Sequence, residues 1–507
     1  MEHKNRVVAQ LLRDLDLGSS VAETDSLLET ARVETSAFND LLNDRVDLVP
    51  GTKGSGKSSL FRIVVEFLPD HLLEKRKIVV AHGVQAPGDP VFHAFADQFK
   101  VLTEEEFVSF WCIYLVSLAH EQFIKSPKFG VLLSTASKEM QEFRIACEKA
   151  KIPEIRATKS LKDILAWALH VLATWRPKLR YKLPESLGAV ELDLFGTPTE
   201  DQAAQKQPGN ADSLPSYVNE IKEALERVLI KSNLSLWLMV DRLDEIFPRR
   251  SDVERSALRG LLRAMRFFSS SSIRVKIFLR DDMLDNIVHS DEGFTALTHV
   301  TARQADTLCW TEDQILTMII NRICANDQIA KYLKWDSSKA KVSAEYRSEC
   351  FKKIFPEQVF KGTSQSSTLR WIYKRCADGR GVVTPRDVLQ LLIRAKQRQE
   401  DLCAADLDGV TEAIIGSAAI QHGLQELSKL KRQTYLQAEF PHLWSSIAKF
   451  VGGKTDYSET AIKTLLGNDW QSVSEDLVAL GVLSKKGHNF NVPFLYRDGL
   501  ELTQGKA

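Results

Sequence analysis

A chain of 507 residues exceeds one ordinary domain and suggests roughly two to four. Hydrophobic residues at 44% and charged residues at 26% match a folded globular protein and exclude a disordered or fibrous one. Lys plus Arg number 67 and Asp plus Glu number 67, so the zero net charge argues against a chain-wide grip on nucleic acid and leaves room only for a local patch.

The opening residues, Met1 to Arg6, lead into no apolar signal core. The longest apolar run, Phe110 to Val116, is far short of the roughly 20 residues a membrane span needs. The 7 cysteines form no Cys-x-x-Cys pair and flank no His at zinc-ligand spacing. Reduced thiols in a cytoplasmic protein are the expectation, with no membrane partner.

Val7, Leu11, Leu12 and Leu15 recur at helical spacing, and Gly18-Ser19-Ser20 breaks the pattern. Val46 to Val49 reads as a strand, shortened by Pro50. A glycine-rich turn follows, and Leu60, Phe61, Ile63, Val64 and Phe67 read as the buried face of a helix. Lys77 to Ala81 reads as the next strand, so a β-α-β start and a parallel sheet are expected. From about Glu104 to Trp175 the spacing is helical. Pro, Gly, Asp and Gln then punctuate about 178–216, which suggests a mobile loop or the tip of an insertion. Helical spacing resumes at Tyr217, and a strand over Leu234 to Val240 follows. A helix through Leu258, Leu261, Leu262, Met265 and Phe268 leads to a strand over Ile273 to Leu279. Beyond Cys309 the pattern turns helical, opened by a capping box at Thr311 to Gln314. The end of the chain suggests three short helices (Leu443 to Phe450, Ala461 to Leu466, Val473 to Leu480) and a hairpin turning at Lys485-Lys486-Gly487-His488. That is the outline of a winged helix.

Gly51-Thr52-Lys53-Gly54-Ser55-Gly56-Lys57-Ser58 matches the Walker A pattern in full, with Ser59 following. The glycines let consecutive N–H groups turn inward around phosphate oxygens, and the helix opening near Lys57 adds its positive end. Lys57 is suited to the β- and γ-phosphates and the Ser58 hydroxyl to Mg²⁺. Leu236 to Val240 followed by Asp241-Arg242-Leu243-Asp244-Glu245 has the Walker B form, a buried strand delivering carboxylates to its C-terminal edge. Asp241 is suited to Mg²⁺. Asp244 or Glu245 can orient or deprotonate the attacking water, and Glu245 is the preferred base. The absence of an Asn-Lys-x-Asp signature favours ATP over GTP.

The Asp241 to Glu245 run resembles the Walker B version of STAND and NACHT-type signalling ATPases within the AAA+-like class. The runs Gly18 to Asp25, Lys53 to Ser58, Val240 to Glu245 and Val492 to Arg497 together resemble a bacterial family of P-loop ATPases of largely unassigned role. The strand and helix pattern gives a P-loop α/β core at 44–305, and the long separation of Lys57 from Asp241 requires a helical insertion, placed at about 101–230. The resemblance implies an N-terminal helical adapter at 1–43, a helical lid at 306–405 and a winged-helix domain at 406–507. It implies Arg280, at a strand end, as a γ-phosphate sensor; the competing reading is a salt bridge with Asp281 or Asp282. It implies Arg386, in the cleanly capped helix start Thr384-Pro385-Arg386-Asp387, as a second sensor. Arg249, Arg250, Arg255 and Arg259 are candidates for an arginine finger, each competing with a solvated basic face. The resemblance also implies a bacterial regulatory or anti-phage setting.

His82 and His93 flank a Gly/Pro loop and read as structural. The third helix of the C-terminal trio offers Glu475 and Asp476 and no base, which opposes docking on duplex phosphates. The resulting expectation is an ATP-hydrolysing switch with Mg²⁺, turning over slowly or on partner stimulation and acting on a protein partner or a second copy. The alternative is a DNA-binding ATPase of the origin-recognition kind.

Overall fold

The protein's computed structural model describes residues 2–83, 102–125, 133–149, 214–245, 251–288, 294, 297–405 and 413–507. The loop expected at about 178–216 lies outside the described residues up to 213, as do the middle of the expected insertion, His93, Arg249 and Arg250. Contacts divide the chain into two compact units. One contains Met1–Asn39, Gly51–Ser59 and Thr307–Ala507; the other contains Asp40–Pro50 and Leu60–Asp306. The first therefore gathers most of the expected adapter, the phosphate loop and both expected C-terminal regions.

The second unit is built on the sheet, all of whose residues except Gly51 belong to it. Strands β1 (Leu48–Gly51), β2 (Ile78–His82), β3 (Ser235–Val240) and β4 (Ile273–Arg280) lie in the order β1-β4-β3-β2. β2 pairs with β3 and β3 with β4, both parallel, in registers Ile78↔Ser235 and Leu236↔Ile273. Leu236 to Val240 are all buried, as the unbroken apolar run requires of a strand covered on both faces. Pro50 does not shorten β1, contrary to expectation. It shares the parity of Leu48, which bonds Arg303 and Ala305, whereas Asp47 accepts from the Ile277 N–H in β4. The missing proline N–H therefore faces away from β4, past an isolated bridge between Leu48 and Gln304.

Helix Asp252–Phe268 starts at Ser251, whose side chain accepts from the Glu254 N–H, and buries Leu258, Leu261, Leu262, Met265 and Phe268. It packs on helix Glu104–Lys125, where the Trp111 Nε1–H donates to the Ala257 carbonyl at 2.8 Å. Lys276 breaks the apolar run of β4 and is fully buried. Its ammonium bonds Asp44, the Val46 carbonyl at 2.7 Å and Asp47 at 2.7 Å, and lies 4.6 Å from the Trp237 ring centroid. Arg303 meets the same Asp47 at 2.6 Å. A charge this deep is tolerated because every donor has an acceptor, and the cluster pins the chain just ahead of β1.

The first unit is mainly helical. Helix Glu312–Cys324 opens with the expected capping box: Thr311 Oγ1 accepts from the Gln314 N–H at 3.2 Å, and Gln314 Oε1 from the Thr311 N–H at 3.0 Å. Near the C-terminus, helix Pro441–Ile447, strand β5 (Lys454–Ser458), helices Glu459–Leu466 and Trp470–Ala479, and strands β6 (Ser484–Lys486) and β7 (Asn489–Asn491) follow in order. With β8 (Thr503–Lys506) they form a sheet ordered β6-β7-β5-β8. The sequence pattern did not disclose β5 and β8, because each is short and mostly polar. The hairpin also turns later than expected: Lys485 and Lys486 are strand residues, and Gly487 at φ +60° makes the turn with His488. No described helix is long and apolar enough to cross a membrane.

Candidate functional site

β1 runs into the loop at Gly51, and helix Lys57–Arg62 follows, continuing as a π-helical turn over Ile63–Phe67. Gly54 (φ +85°) and Gly56 (φ +102°) occupy backbone conformations that side chains resist. A Cβ on Gly51 would lie 2.5 Å from Ser55 Oγ. Lys57 Nζ donates to the Gly51 and Thr52 carbonyls at 2.8 and 2.9 Å, holding the loop in a ring.

Within the same unit the loop is covered by residues far away in sequence. The Trp310 Nε1–H donates to the Ser55 carbonyl at 2.7 Å, and its ring edges Gly56. The Tyr373 hydroxyl donates to the Trp310 carbonyl at 2.8 Å, and burial raises its pKa. Helix Pro385–Ala404 begins against Gly54. A Cβ there would meet Arg386 Cβ at 3.1 Å and Thr384 Oγ1 at 3.3 Å. Thr384 caps that helix by accepting from the Asp387 N–H at 3.2 Å. Arg386 Nε donates to the Ser20 carbonyl at 3.2 Å. Lys53 pairs with Glu439, a buried carboxylate from the C-terminal region.

The Gly18 to Asp25 run is held by a buried pair, with Arg322 Nη2 and Nη1 donating to Asp25 at 2.6 and 3.0 Å. Gly18 is required there, since a Cβ would strike both Arg322 and Asp25 at 2.3 Å. Exchanging Gly54 for alanine should cost about 1–3 kcal/mol, because a left-handed backbone is combined with the Arg386 contact. Thermal melting and ATP titration check this, and a variant matching the wild type in both would show that the glycine is dispensable.

In the second unit Asp241 directly follows β3 and is 5% exposed, and Leu243–Glu245 form a 3₁₀ turn. The Glu245 side chain lies outside the described residues. Arg280, closing β4, is buried and grips Asp282 through Nε at 2.9 Å and Nη2 at 2.8 Å; its Nη1 reaches Asp244 Oδ2 at 3.4 Å. The salt-bridge reading of Arg280 thus holds for Asp282, and the arginine also touches a Walker B carboxylate.

Arg255 bonds Asp252 at 2.7 Å. Arg259 is buried, 3.7 Å from Glu104, and lies over the Phe294 ring, so it is not on a solvated face. His82 stacks edge-on to Phe61 at 5.9 Å, and burial lowers its pKa.

The loop fits a phosphate-bearing nucleotide. Its glycines leave a cradle that side chains would fill, and the buried Thr52 and Ser55 hydroxyls have no hydrogen-bond partner among the described residues. No cluster of three or more His, Cys, Asp or Glu able to hold a metal occurs among the described residues. Mg²⁺ would suit the residue types present, because it takes one or two protein oxygens together with substrate phosphates.

Sequence reasoning missed Trp310, Tyr373 and Glu439. Trp310 stood one residue before the capping box, but nothing local marked it or the others as loop partners.

No protein-family model matches the chain, and no curated protein matches it. Among solved structures, a Walker-type ATPase of Pyrococcus abyssi is similar at 12% identity and TM-score 0.37, over 93% of this chain and 96% of that one. The ORC2 protein of Aeropyrum pernix, solved as ADPNP–ADP complexes, is similar at 12% identity and TM-score 0.37, over 92% and 93% of the two chains. Neither likeness transfers an activity or a partner to this chain.

Proposed function

We propose that this protein is an ATP-binding and hydrolysing molecular switch of the STAND/AAA+ kind. One observation carries the reading. A complete phosphate-binding loop, ringed by Lys57, is covered within one compact unit by residues of the expected lid and of the C-terminal region.

In this reading the inward N–H groups and Lys57 bind the triphosphate, and Arg386, already packed on Gly54, meets its charge. Ser58 and Asp241 are the residues that would serve as Mg²⁺ ligands, and the ion would supply positive charge to the phosphates. Glu245 orients the attacking water and takes its proton. Arg280, whose guanidinium also holds Asp282 and Asp244, is the basic group that senses the γ-phosphate. The helix–strand–helix–helix–hairpin order near the C-terminus supports the winged-helix assignment. Nucleotide state then sets how that region meets a protein partner or a second copy. The DNA-binding alternative gains nothing from helix Trp470–Ala479, whose Glu475 is exposed.

Steady-state ATP hydrolysis with and without Mg²⁺ tests the proposal, together with Glu245→Gln. The expected result is slow turnover that the substitution reduces by about 10²–10⁴-fold while ATP binding persists. Wild-type turnover that is absent, or unchanged by the substitution, would remove the enzymatic part.

A further inference from the structure

The pairing of Lys53 with Glu439 joins two segments nearly four hundred positions apart. Lys53 lies in the middle of the phosphate loop, between Thr52 and Gly54. Glu439 follows the π-helical turn Arg432–Gln437 and precedes helix Pro441–Ile447. Its side chain is 6% exposed, whereas that of Lys53 is 38% exposed. A carboxylate is seldom buried so deeply without a fixed cationic partner, because desolvation opposes it. The same stretch is anchored a second time. Lys431, at the end of helix Ser417–Lys431, reaches the buried Asp387 carboxylate at 3.2 Å, in the helix turn that packs on Gly54. π-helical turns insert an extra residue into a helix and recur where function sets the geometry. Here the turn lies directly ahead of Glu439.

We propose that Glu439 is an internal anionic competitor for the phosphate loop, so that ATP binding and seating of the 432–447 segment oppose each other. This rests on the ATP reading above and names its regulation. The loop presents N–H groups and a lysine to anions, and Glu439 places a carboxylate on that surface. A polyanionic triphosphate brought to the same loop repels the carboxylate and draws on Lys53. Either Glu439 withdraws or the nucleotide binds more weakly. Because the coupling is reciprocal, whatever holds the segment away from the loop tightens ATP, and ATP loosens the segment.

The test is ATP titration by calorimetry on wild type, Glu439→Gln, Lys53→Gln and the double variant. Glu439→Gln removes the charge and keeps the shape. It should tighten ATP by roughly five- to a hundredfold, the usual range for linked sites. That gain should shrink in the Lys53→Gln background, because the competition runs through this lysine. Unchanged or weaker binding by Glu439→Gln, with the wild type binding ATP, overturns the inference and leaves the ATP reading intact. A drop in melting temperature alone marks a purely structural pair and likewise overturns it. Absence of ATP binding in the wild type sinks the ATP reading itself, and the inference with it. Hydrogen exchange on the unmodified protein needs no variant to fold: ATP should speed exchange over 436–447, and unchanged exchange there overturns the proposal.

Discussion

Lys57→Ala should abolish measurable ATP binding. The ammonium holds two loop carbonyls, at 2.8 and 2.9 Å, and is the group suited to bridge the β- and γ-phosphates. Alanine loses a charge-assisted contact worth about 3 kcal/mol, or roughly a hundredfold in Kd, before any slackening of the loop is counted. A fluorescent-nucleotide titration reads this directly. If Lys57→Ala bound ATP as the wild type does, the loop would not be the nucleotide site, and the switch reading would fall with it.

Asp25→Ala should be the most damaging substitution outside the loop. Asp25 and Arg322 are 3% and 7% exposed at the side chain, and Arg322 also donates to the Leu17 carbonyl at 2.8 Å. Truncating the carboxylate leaves a buried guanidinium without its counter-charge, at a cost of about 3–5 kcal/mol. The Gly18 to Ser20 turn, to which Arg386 and Gln390 are bonded, would lose its anchor. Thermal melting and amide exchange over 16–25 measure the loss. Replacing Asp25 and Arg322 together by Leu and Met should recover part of it, because no unpaired charge then remains. If the single and double variants lost equal stability, packing and not the ion pair would hold this turn.

The difference between what local sequence discloses and what it conceals follows element type. Leu236 to Val240 could be read as a buried strand because five consecutive apolar residues suit a strand covered on both sides. Thr311 and Gln314, like Thr384 and Asp387, could be read as helix starts because a cap satisfies backbone donors within one turn. Strands β5 and β8 are short and have few buried residues; only pairing with β7 and with each other makes them strands. Lys276 illustrates the same limit in the core, since its tolerance depends on Asp44 and Asp47, far earlier in the chain.

The sequence by itself determined the chemistry of the phosphate loop. Its glycines, Lys57 and Ser58 must be adjacent to act, so their spacing is their geometry. It likewise determined that β3 delivers Asp241 at its end. The tertiary structure alone decided what touches that loop: Trp310 on Ser55, Arg386 on Gly54 and Glu439 on Lys53. It also decided that Arg280 is bound to Asp282 and Asp244. Contacts across hundreds of residues depend on how whole helices pack, and periodicity records that a face is buried without recording which distant residue it meets.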